Sequence, residues 1–569
     1  MPELIAEKFQ SLLIAIGAGV ITVLVISGNV TDPVNVPKLL ALGVVSVASI
    51  AVTITSSLRF RLKEALLPLG LVSAFVLATV IATIGSQSPL SQNLYGAYGR
   101  NNGLLTYIFL SFLFVSVLTL RRAESFQRIL KALYIAGIVN VIYCLWVLAF
   151  GDFVGWSNPY GNILGTLGNP NFIGSFLGIF FGVTFAVLFS TSAGSKSKIF
   201  ALMILPLTLF EIIKSHAIQG RVVAALGIAI VLFFYLRSKV NPLFVSLYAL
   251  VATVVGGFAL AGALQIGPLT SIIYKTSVSL RGQYWLAGWN TGQGHPFTGV
   301  GMDSFGDWYR RSRDSRALEL PGVDTVVNAS HNVPLDMFAF GGWPLFLSYL
   351  AILGLTVLSI VKIAIRNKSY DTLFVSLTVA WLGYQLQSLI SINQIGLATW
   401  GWILSASLIS YEYLSRETQV SNSESELPIR GRQRKQKNST NQQLHLPLVG
   451  TVGGIIGLLL ALPPFSADVK WRSAQVSQSA APLEASLQAS YMNPSNSMKY
   501  LTTIQIFEEN QLFEKSHAFA LSAVQWNPEA FELWKVLYLI KNSTPEEKSL
   551  ALSNMNRLDP LNPDVTSIK

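Results

Sequence analysis

The residues best suited to chemistry include His331 and Asn332, which come directly before a long apolar run in "SHNVPLDMFAFGGWPL". A histidine exchanges a proton near neutral pH, and with an amide beside it His331 could activate a hydroxyl nucleophile. The alternative is a histidine that serves packing alone. The chain has five histidines at scattered positions, 216, 295, 331, 445 and 517, and one cysteine inside an apolar run. This pattern contains no clear set of metal ligands.

Two arginines stand at the starts of other apolar runs, Arg100 in "YGRNNGLLTYI" and Arg221 in "AIQGRVVAALG", where Gln219 comes just before it. An arginine in this place can anchor a helix at the membrane interface by extending its charge to water. It can also bind a phosphate through its planar fork of donors. A positive charge is unfavourable at a helix N-terminus. The position of Arg221 is therefore consistent with a bound anionic ligand that offsets this cost.

A third arginine, Arg281, leads the aromatic segment "RGQYWLAGWN". Tyr284 and Trp285 in that segment could stack on sugar rings, or they could lie in the aromatic belt at the membrane interface. The spacing alone does not separate these two roles.

The elements that must position these residues are predicted to be membrane helices. The chain has 569 residues, of which 51% are hydrophobic and 12% are charged, whereas a soluble domain carries about 25% charged residues. About thirteen apolar runs are long enough to span the hydrocarbon core as helices: 11–29, 37–55, 66–85, 104–120, 129–150, 170–190, 198–214, 221–237, 243–263, 334–361, 372–391, 396–414 and 446–463. The predicted fold is all-α and polytopic, with 12 or 13 transmembrane helices.

The net charge of +11 follows membrane topology and does not indicate nucleic-acid binding. Lysines and arginines collect in alternate loops, at 59–63, 121–128, 196–198, 237–239, 362–368 and 430–437. Loops rich in Lys and Arg stay in the cytoplasm. This alternation predicts a cytoplasmic N-terminus, a C-terminus outside, and all the candidate residues on the outer side of the cytoplasmic membrane.

Three polar segments lie outside the predicted membrane helices. The first is a long external loop, 264–333, within a transmembrane domain that covers 1–414, and its length is typical of lids and binding elements. A basic cytoplasmic linker, 415–445, is predicted to be disordered, and 446–463 is the last transmembrane helix. The external tail, 464–569, has Asn-Pro or Asp-Pro pairs at 493, 527 and 559. That spacing, with two amphipathic helices between the last two pairs, predicts a region like tetratricopeptide repeats, which could hold a protein partner, or a plain helical cap.

The segments quoted above, in their order and together with "LGNPNFIGSFL" and "HPFTGVGMDSFGDWYRRSR", resemble the O-antigen ligase and Wzy-type polymerase family over about residues 90–410. The resemblance implies transfer of a glycan from a polyprenyl diphosphate to a hydroxyl acceptor, which could be a lipid, a glycan or a protein. It implies that no metal or other cofactor is needed. By that resemblance His331 assists deprotonation of the acceptor and Arg281 holds the diphosphate. Arg100, Arg221, Gln219, Asn332, Tyr284 and Trp285 are the expected substrate-binding residues.

Two positions depart from the pattern of the family. Many members have an arginine where Gln219 stands, so Arg221 is expected to reach the pocket less directly. Many also have a glutamate where Phe340 stands, which leaves Asp336 as the carboxylate that could replace it. Two other functions remain open: a polymerase that extends one lipid-linked glycan with another, and a membrane transporter for bicarbonate or another anion.

Overall fold

The computed structural model describes residues 2–263, 266–268, 270, 276–424, 445–477 and 479–567. Within these ranges the fold is helical and has no β-strand, which confirms the predicted all-α class. The helices of the first 477 residues are α1 Pro2–Val23, α2 Asn35–Thr55, α3 Leu66–Ile84, α4 Leu90–Tyr95, α5 Leu104–Val117, α6 Ala123–Phe150, α7 Pro170–Leu188, α8 Ser195–Lys214, α9 Ile218–Lys239, α10 Pro242–Ala263, α11 Thr276–Gly294, α12 Phe305–Ser312, α13 Val333–Arg366, α14 Thr372–Ser388, α15 Ile395–Glu424 and α16 His445–Ser477. Of the predicted linker, 425–444 lies outside the described residues, and 415–424 continues α15 as helix.

Among the described residues, nine helices are long and apolar enough to cross a membrane, namely α1, α2, α3, α6, α7, α9, α10, α13 and α16. The chain is therefore a polytopic membrane protein. The four other predicted spans, 104–120, 198–214, 372–391 and 396–414, coincide with α5, α8, α14 and α15. Helices α5 and α14 have 14 and 17 residues, fewer than the roughly 20 residues typical of a membrane span. Length and composition thus mark nine of the thirteen predicted helices as candidate spans.

Helix α15 lies at the centre of the bundle, since every residue from Ile395 to Ser410 is buried. Its polar side chains bond to neighbouring helices. Trp381 on α14 donates its indole N–H to Ser405 Oγ at 2.8 Å, and Trp400 donates to Thr22 Oγ1 on α1 at 2.7 Å. Such hydrogen bonds and close packing hold helices together where lipid removes the usual hydrophobic drive.

The loops between the helices form two opposite ends of the bundle. At one end Arg61 pairs with Glu7 at 2.6 Å, and Arg366 pairs with Glu412 at 2.8 Å. These residues belong to the loops that the charge pattern predicts to be cytoplasmic. At the other end Asn102 donates to the carbonyl of Asn393 at 2.7 Å, and this end carries the candidate residues.

Helix α13 is broken at Gly341 and Gly342, and the break joins it to residues 295–301. The carbonyls of Ala339 and Phe340 accept from the N–H groups of Val300 and Gly301 at 3.0 Å each, and Trp343 N–H donates to the carbonyl of Pro296 at 2.7 Å. Gly342 has a φ of +61°, and a Cβ there would stand 2.3 Å from that carbonyl oxygen. Irregular backbone at membrane depth is stable only when its polar groups are satisfied in this way.

The chain passes from the bundle to its C-terminal region through α16. Gly453 and Gly457 on α16 lie against α2, and a Cβ on Gly457 would approach Gly43 O to 2.1 Å. Two small residues four apart allow this close backbone contact. The helix continues to Ser477, past Pro463 and Pro464, so it extends well beyond the predicted end at 463.

The C-terminal region is a small helical domain with its own core. Its helices are α17 Ala480–Leu487, α18 Ser497–Glu509, α19 Phe513–Trp526, α20 Phe531–Leu539, α21 Pro545–Leu558 and α22 Pro563–Thr566. The Asn527-Pro528 and Asp559-Pro560 pairs follow α19 and α21, so each closes a helix pair. Trp534 and Leu537 are among the buried core residues. The helix pairs are as predicted, and their membership of the tetratricopeptide family stays a prediction.

Candidate active site

His331 lies in the turn that enters α13, with its backbone in the left-handed region at a φ of +57°. Two residues of α11 hold it there. The ring of Tyr284 lies 5.4 Å from the imidazole, centre to centre, and Trp285 donates its indole N–H to the His331 carbonyl at 3.4 Å. Both aromatic residues predicted to bind sugar are therefore also part of the support of His331.

The imidazole of His331 is neutral at pH 7. Burial lowers its pKa to about 3, and the positive charges of Arg281 and Arg100 lower it in the same direction. The two guanidinium groups are therefore close enough to act on one ring. A neutral imidazole can accept a proton, which is the state that a general base requires. An anion bound to the arginines would raise this pKa again and strengthen the base.

Arg281 lies on α11 and is partly buried. Burial lowers the pKa of its guanidinium. No carboxylate or other acceptor bonds to it among the described residues. Partial burial of a charge without a counter-charge is unfavourable, so an anionic ligand would stabilise this arginine.

Arg100 is held more firmly, by Asp303. Its guanidinium lies 3.6 Å from Asp303 Oδ1, and its side chain is only 10% exposed. Asp303 Oδ2 accepts from the N–H of Ala97 at 2.8 Å and of Asn102 at 3.2 Å. Burial raises the pKa of Asp303, against the opposing effect of Arg100. The Arg100 Nε has no hydrogen-bond partner among the described residues, so donors remain for an anion.

The backbone around the site is strained at three positions. His331, Asn101 and Asp303 have φ between +54° and +57°, which side chains other than glycine seldom adopt. Strain of this kind collects at functional sites. Here it places the imidazole, the Arg100 loop and the Asp303 carboxylate in one region.

Asp336 and Asn332 fix the turn that carries His331. Asp336 Oδ1 accepts from the N–H and the hydroxyl of Ser330 at 2.7 Å each. Asn332 caps α13 by accepting from Leu335 N–H at 3.0 Å, and its amide donates to the Leu389 carbonyl at 3.0 Å. Both side chains position the histidine, and substrate contact by Asn332 stays a prediction. Phe340, at the position where many members of the family have a glutamate, is a buried apolar residue at the break of α13.

Gln219 and Arg221 have different surroundings. Gln219 is buried, accepts from Ser175 Oγ at 3.3 Å and donates to the Ile390 carbonyl at 3.2 Å. Arg221 is exposed at the start of α9, and it is not among the arginines whose charge acts on His331. The structure therefore brings Arg100, Arg281 and His331 together without Arg221.

A loop that the sequence analysis missed connects these parts. Residues 389–394, between α14 and α15, accept hydrogen bonds from Asn332, Gln219 and Asn102 through the carbonyls of Leu389, Ile390 and Asn393. Its only sequence signal is the polar "NQ" between two apolar runs.

Three further arginines, all in or next to α12, bind the C-terminal domain. Arg313 and Asp559 are both fully buried and form two bonds of 2.8 and 2.9 Å. Arg310 pairs with the same carboxylate at 2.9 Å, and Arg311 Nη1 bonds to Glu529. The motif "WYRRSR" thus docks the C-terminal domain beside the candidate site. These guanidinium groups already have carboxylate partners.

A further cavity lies away from these residues. It has a volume of about 740 Å³ and opens at the opposite end of the bundle, among Ala123, Lys196 and Asp371. Its lining includes none of the candidate residues. We place the candidate site by chemistry, because Arg281, which has no carboxylate partner among the described residues, lies near the neutral His331 at the other end.

Part of the chain matches a known family. Residues 200–350 match the Wzy_C family, O-antigen ligase. The match covers about a quarter of the chain and includes Gln219, Arg221, Arg281 and His331, while Arg100 lies outside it. No curated protein gives a significant match. The family match supports a membrane glycosyltransferase of the ligase or polymerase kind.

Proposed function

We propose that the protein transfers a glycan from a polyprenyl diphosphate carrier to a hydroxyl acceptor at the outer face of the cytoplasmic membrane. The observation that carries this proposal is the group of Arg281, Arg100 and His331. It combines one arginine that has no carboxylate partner among the described residues, a second arginine whose Nε lacks an acceptor there, and a neutral imidazole. The match to O-antigen ligases points to the same chemistry.

In the proposed reaction Arg281 and Arg100 hold the diphosphate, since arginine binds phosphate oxygens through paired donors. The acceptor oxygen forms a bond to the anomeric carbon while the bond from that carbon to the diphosphate oxygen breaks. His331 takes the acceptor proton, and the diphosphate leaves on its lipid. The arginines supply fixed positive charge to the leaving group, which needs no reorganisation during the reaction. We therefore propose a metal-independent transfer.

The charge pattern of the loops supports a site that faces the outer side of the membrane. The short loops between membrane helices are rich in lysine and arginine at the end opposite to His331 and poor in them at its own end, so we place the basic end in the cytoplasm and His331 outside. The C-terminal domain, docked on α12, is then outside as well. A carrier lipid reaches the site from the membrane, and the acceptor reaches it from the aqueous side.

The test is transfer by the purified full chain in nanodiscs, with lipid-linked glycan as donor and with a candidate acceptor. We expect His331→Ala and Arg281→Ala to lose transfer. Arg316→Ala is the matched control, because Arg316 is exposed in the same external segment, and it should keep wild-type activity. Full activity in both site variants would refute the proposal.

The acceptor decides between a ligase and a polymerase. A deletion strain separates them. Complete lipid-linked polymer accumulates if a ligase is missing, whereas chains of a single unit accumulate if a polymerase is missing. Flux of bicarbonate into sealed liposomes, independent of any glycan donor, would instead favour a transporter.

A further inference from the structure

A second cavity, with a volume of about 210 Å³, lies between the membrane part and the C-terminal domain. The membrane part lines it with Gln92, Asp303 and Asp307, and the C-terminal domain lines it with Asn496, Phe531 and Glu532. Sites that enclose drug-sized ligands have roughly 300–1,000 Å³. This cavity is smaller and suits about one sugar ring.

The two walls of this cavity are held at a fixed separation by the docking contacts. Asn527 donates to Asp307 Oδ2 at 3.0 Å, and Arg310 bonds to Glu532 at 2.6 Å. Arg310 also pairs with buried Asp559. The cavity is thus a preformed feature of the docked chain, and neither wall makes it alone.

The charge of the lining suits a neutral ligand. Three carboxylates line the cavity, on Asp303, Asp307 and Glu532, and the single arginine, Arg310, is already paired with two carboxylates. A diphosphate would be repelled by this lining. Carboxylates and the amides of Gln92 and Asn496 instead match the hydroxyls of a sugar, because they accept and donate hydrogen bonds.

The lining also has apolar surface, from Met498, Leu501 and Val326. Pockets that bind small organic ligands combine apolar walls with a few placed polar groups. Sugar rings have apolar C–H faces beside their hydroxyls, so this mixture fits them better than it fits an ion.

The cavity adjoins the candidate active site through Asp303, which lines it and also pairs with Arg100 at 3.6 Å. Asp303 is fully buried on its side chain, and its Oδ1 accepts no hydrogen bond among the described residues. Asn328, three residues before His331, lines the same cavity.

We propose that this cavity binds the terminal neutral sugar of the acceptor, between the membrane part and the docked C-terminal domain. The acceptor role depends on the proposed function, but binding of a neutral sugar does not. The diphosphate of the donor would bind to the cationic group, and the acceptor sugar would bind on the acidic side of Asp303. The C-terminal domain is then part of the acceptor site.

Cysteine protection tests the binding directly. The only native cysteine, Cys144, is buried, so Met498→Cys at the cavity adds one reactive thiol to the full chain. Its maleimide labelling rate is measured without donor, in the presence of maltotetraose, chitotetraose or a galactose tetrasaccharide. Separate arms contain pyrophosphate or a serine-rich peptide. The control is Leu550→Cys, on the exposed surface of α21 and away from the cavity.

We expect at least one neutral oligosaccharide to slow labelling at position 498 severalfold, with no effect from pyrophosphate and none at position 550. The proposal is overturned if no oligosaccharide protects, if pyrophosphate protects equally, or if only the peptide protects. In the transfer assay, Met498→Trp should raise the acceptor KM about tenfold and leave the donor KM unchanged, while Leu550→Trp changes neither. Protection without any transfer would uphold the sugar site and refute the proposed function.

Discussion

The low pKa of His331 makes the stability of the protein depend on pH. The pKa is about 3 in the folded state and about 6.5 in an unfolded chain. Between these values the unfolded chain binds more protons than the folded one, so the free energy of unfolding falls as pH falls. At pH 7.5 the ring is almost entirely neutral in both states, and this contribution is fully present.

The size of the effect follows from the two pKa values. Relative to pH 7.5, His331 lowers the free energy of unfolding by about 1.4 kcal/mol at pH 5.5 and about 2.7 kcal/mol at pH 4.5. His331→Gln removes this contribution. The difference in unfolding free energy between wild type and His331→Gln should therefore change by these amounts as the pH is lowered.

The assay is chemical unfolding in detergent micelles at pH 7.5, 5.5 and 4.5, followed by tryptophan fluorescence. Arg281→Gln should flatten the pH dependence, because it removes a positive charge that lowers the His331 pKa. Arg316→Gln removes an exposed charge of the same segment and should follow wild type. Parallel curves for wild type and His331→Gln would show that the ring is not held neutral by its surroundings, and would refute the reasoning.

Three further predictions concern the docked domain, the broken helix and the chemistry. Asp559→Ala should lower the free energy of unfolding by about 3–5 kcal/mol, because it leaves Arg313 buried without its counter-charge. Adding Arg313→Met should restore most of the lost stability, and a double variant as unstable as Asp559→Ala would contradict this explanation. Gly342→Ala should lower the melting temperature, because φ is +61° and a Cβ would meet the Pro296 carbonyl; Gly354→Ala, in open space, should not lower it. Transfer should continue in excess EDTA, and its complete loss, reversed by a divalent metal, would contradict the metal-independent reaction.

The helices could be predicted from the sequence because the signal is local. Each of the thirteen apolar runs coincides with a helix, since run length and composition decide where a chain can enter a membrane. Length and composition mark nine of these helices as candidate spans. Helix α15 is not among the nine, although it extends from the end of the bundle that holds Asn393 to the end where Glu412 pairs with Arg366.

The site was predictable only in part. The resemblance named Arg281 and His331, and the place of Arg100 before an apolar run suggested a phosphate contact, but the proximity of the three depends on a fold that joins positions far apart in the chain. The sequence could not show whether an arginine pairs with phosphate or with carboxylate. Arg313 stands in the same family-like stretch as Arg281, yet it binds buried Asp559, 246 positions away. The role of the 389–394 loop also depends on tertiary contacts, because it acts through its backbone carbonyls.

The most direct test of the central claim is the affinity of the full chain for a short polyprenyl diphosphate, such as geranyl diphosphate, measured by microscale thermophoresis. If Arg281 binds the diphosphate through charge-assisted hydrogen bonds, Arg281→Gln should weaken binding by roughly 10- to 100-fold. Arg316→Gln should bind as wild type does. Unchanged affinity in Arg281→Gln, or an equal loss in Arg316→Gln, would contradict a diphosphate site beside His331.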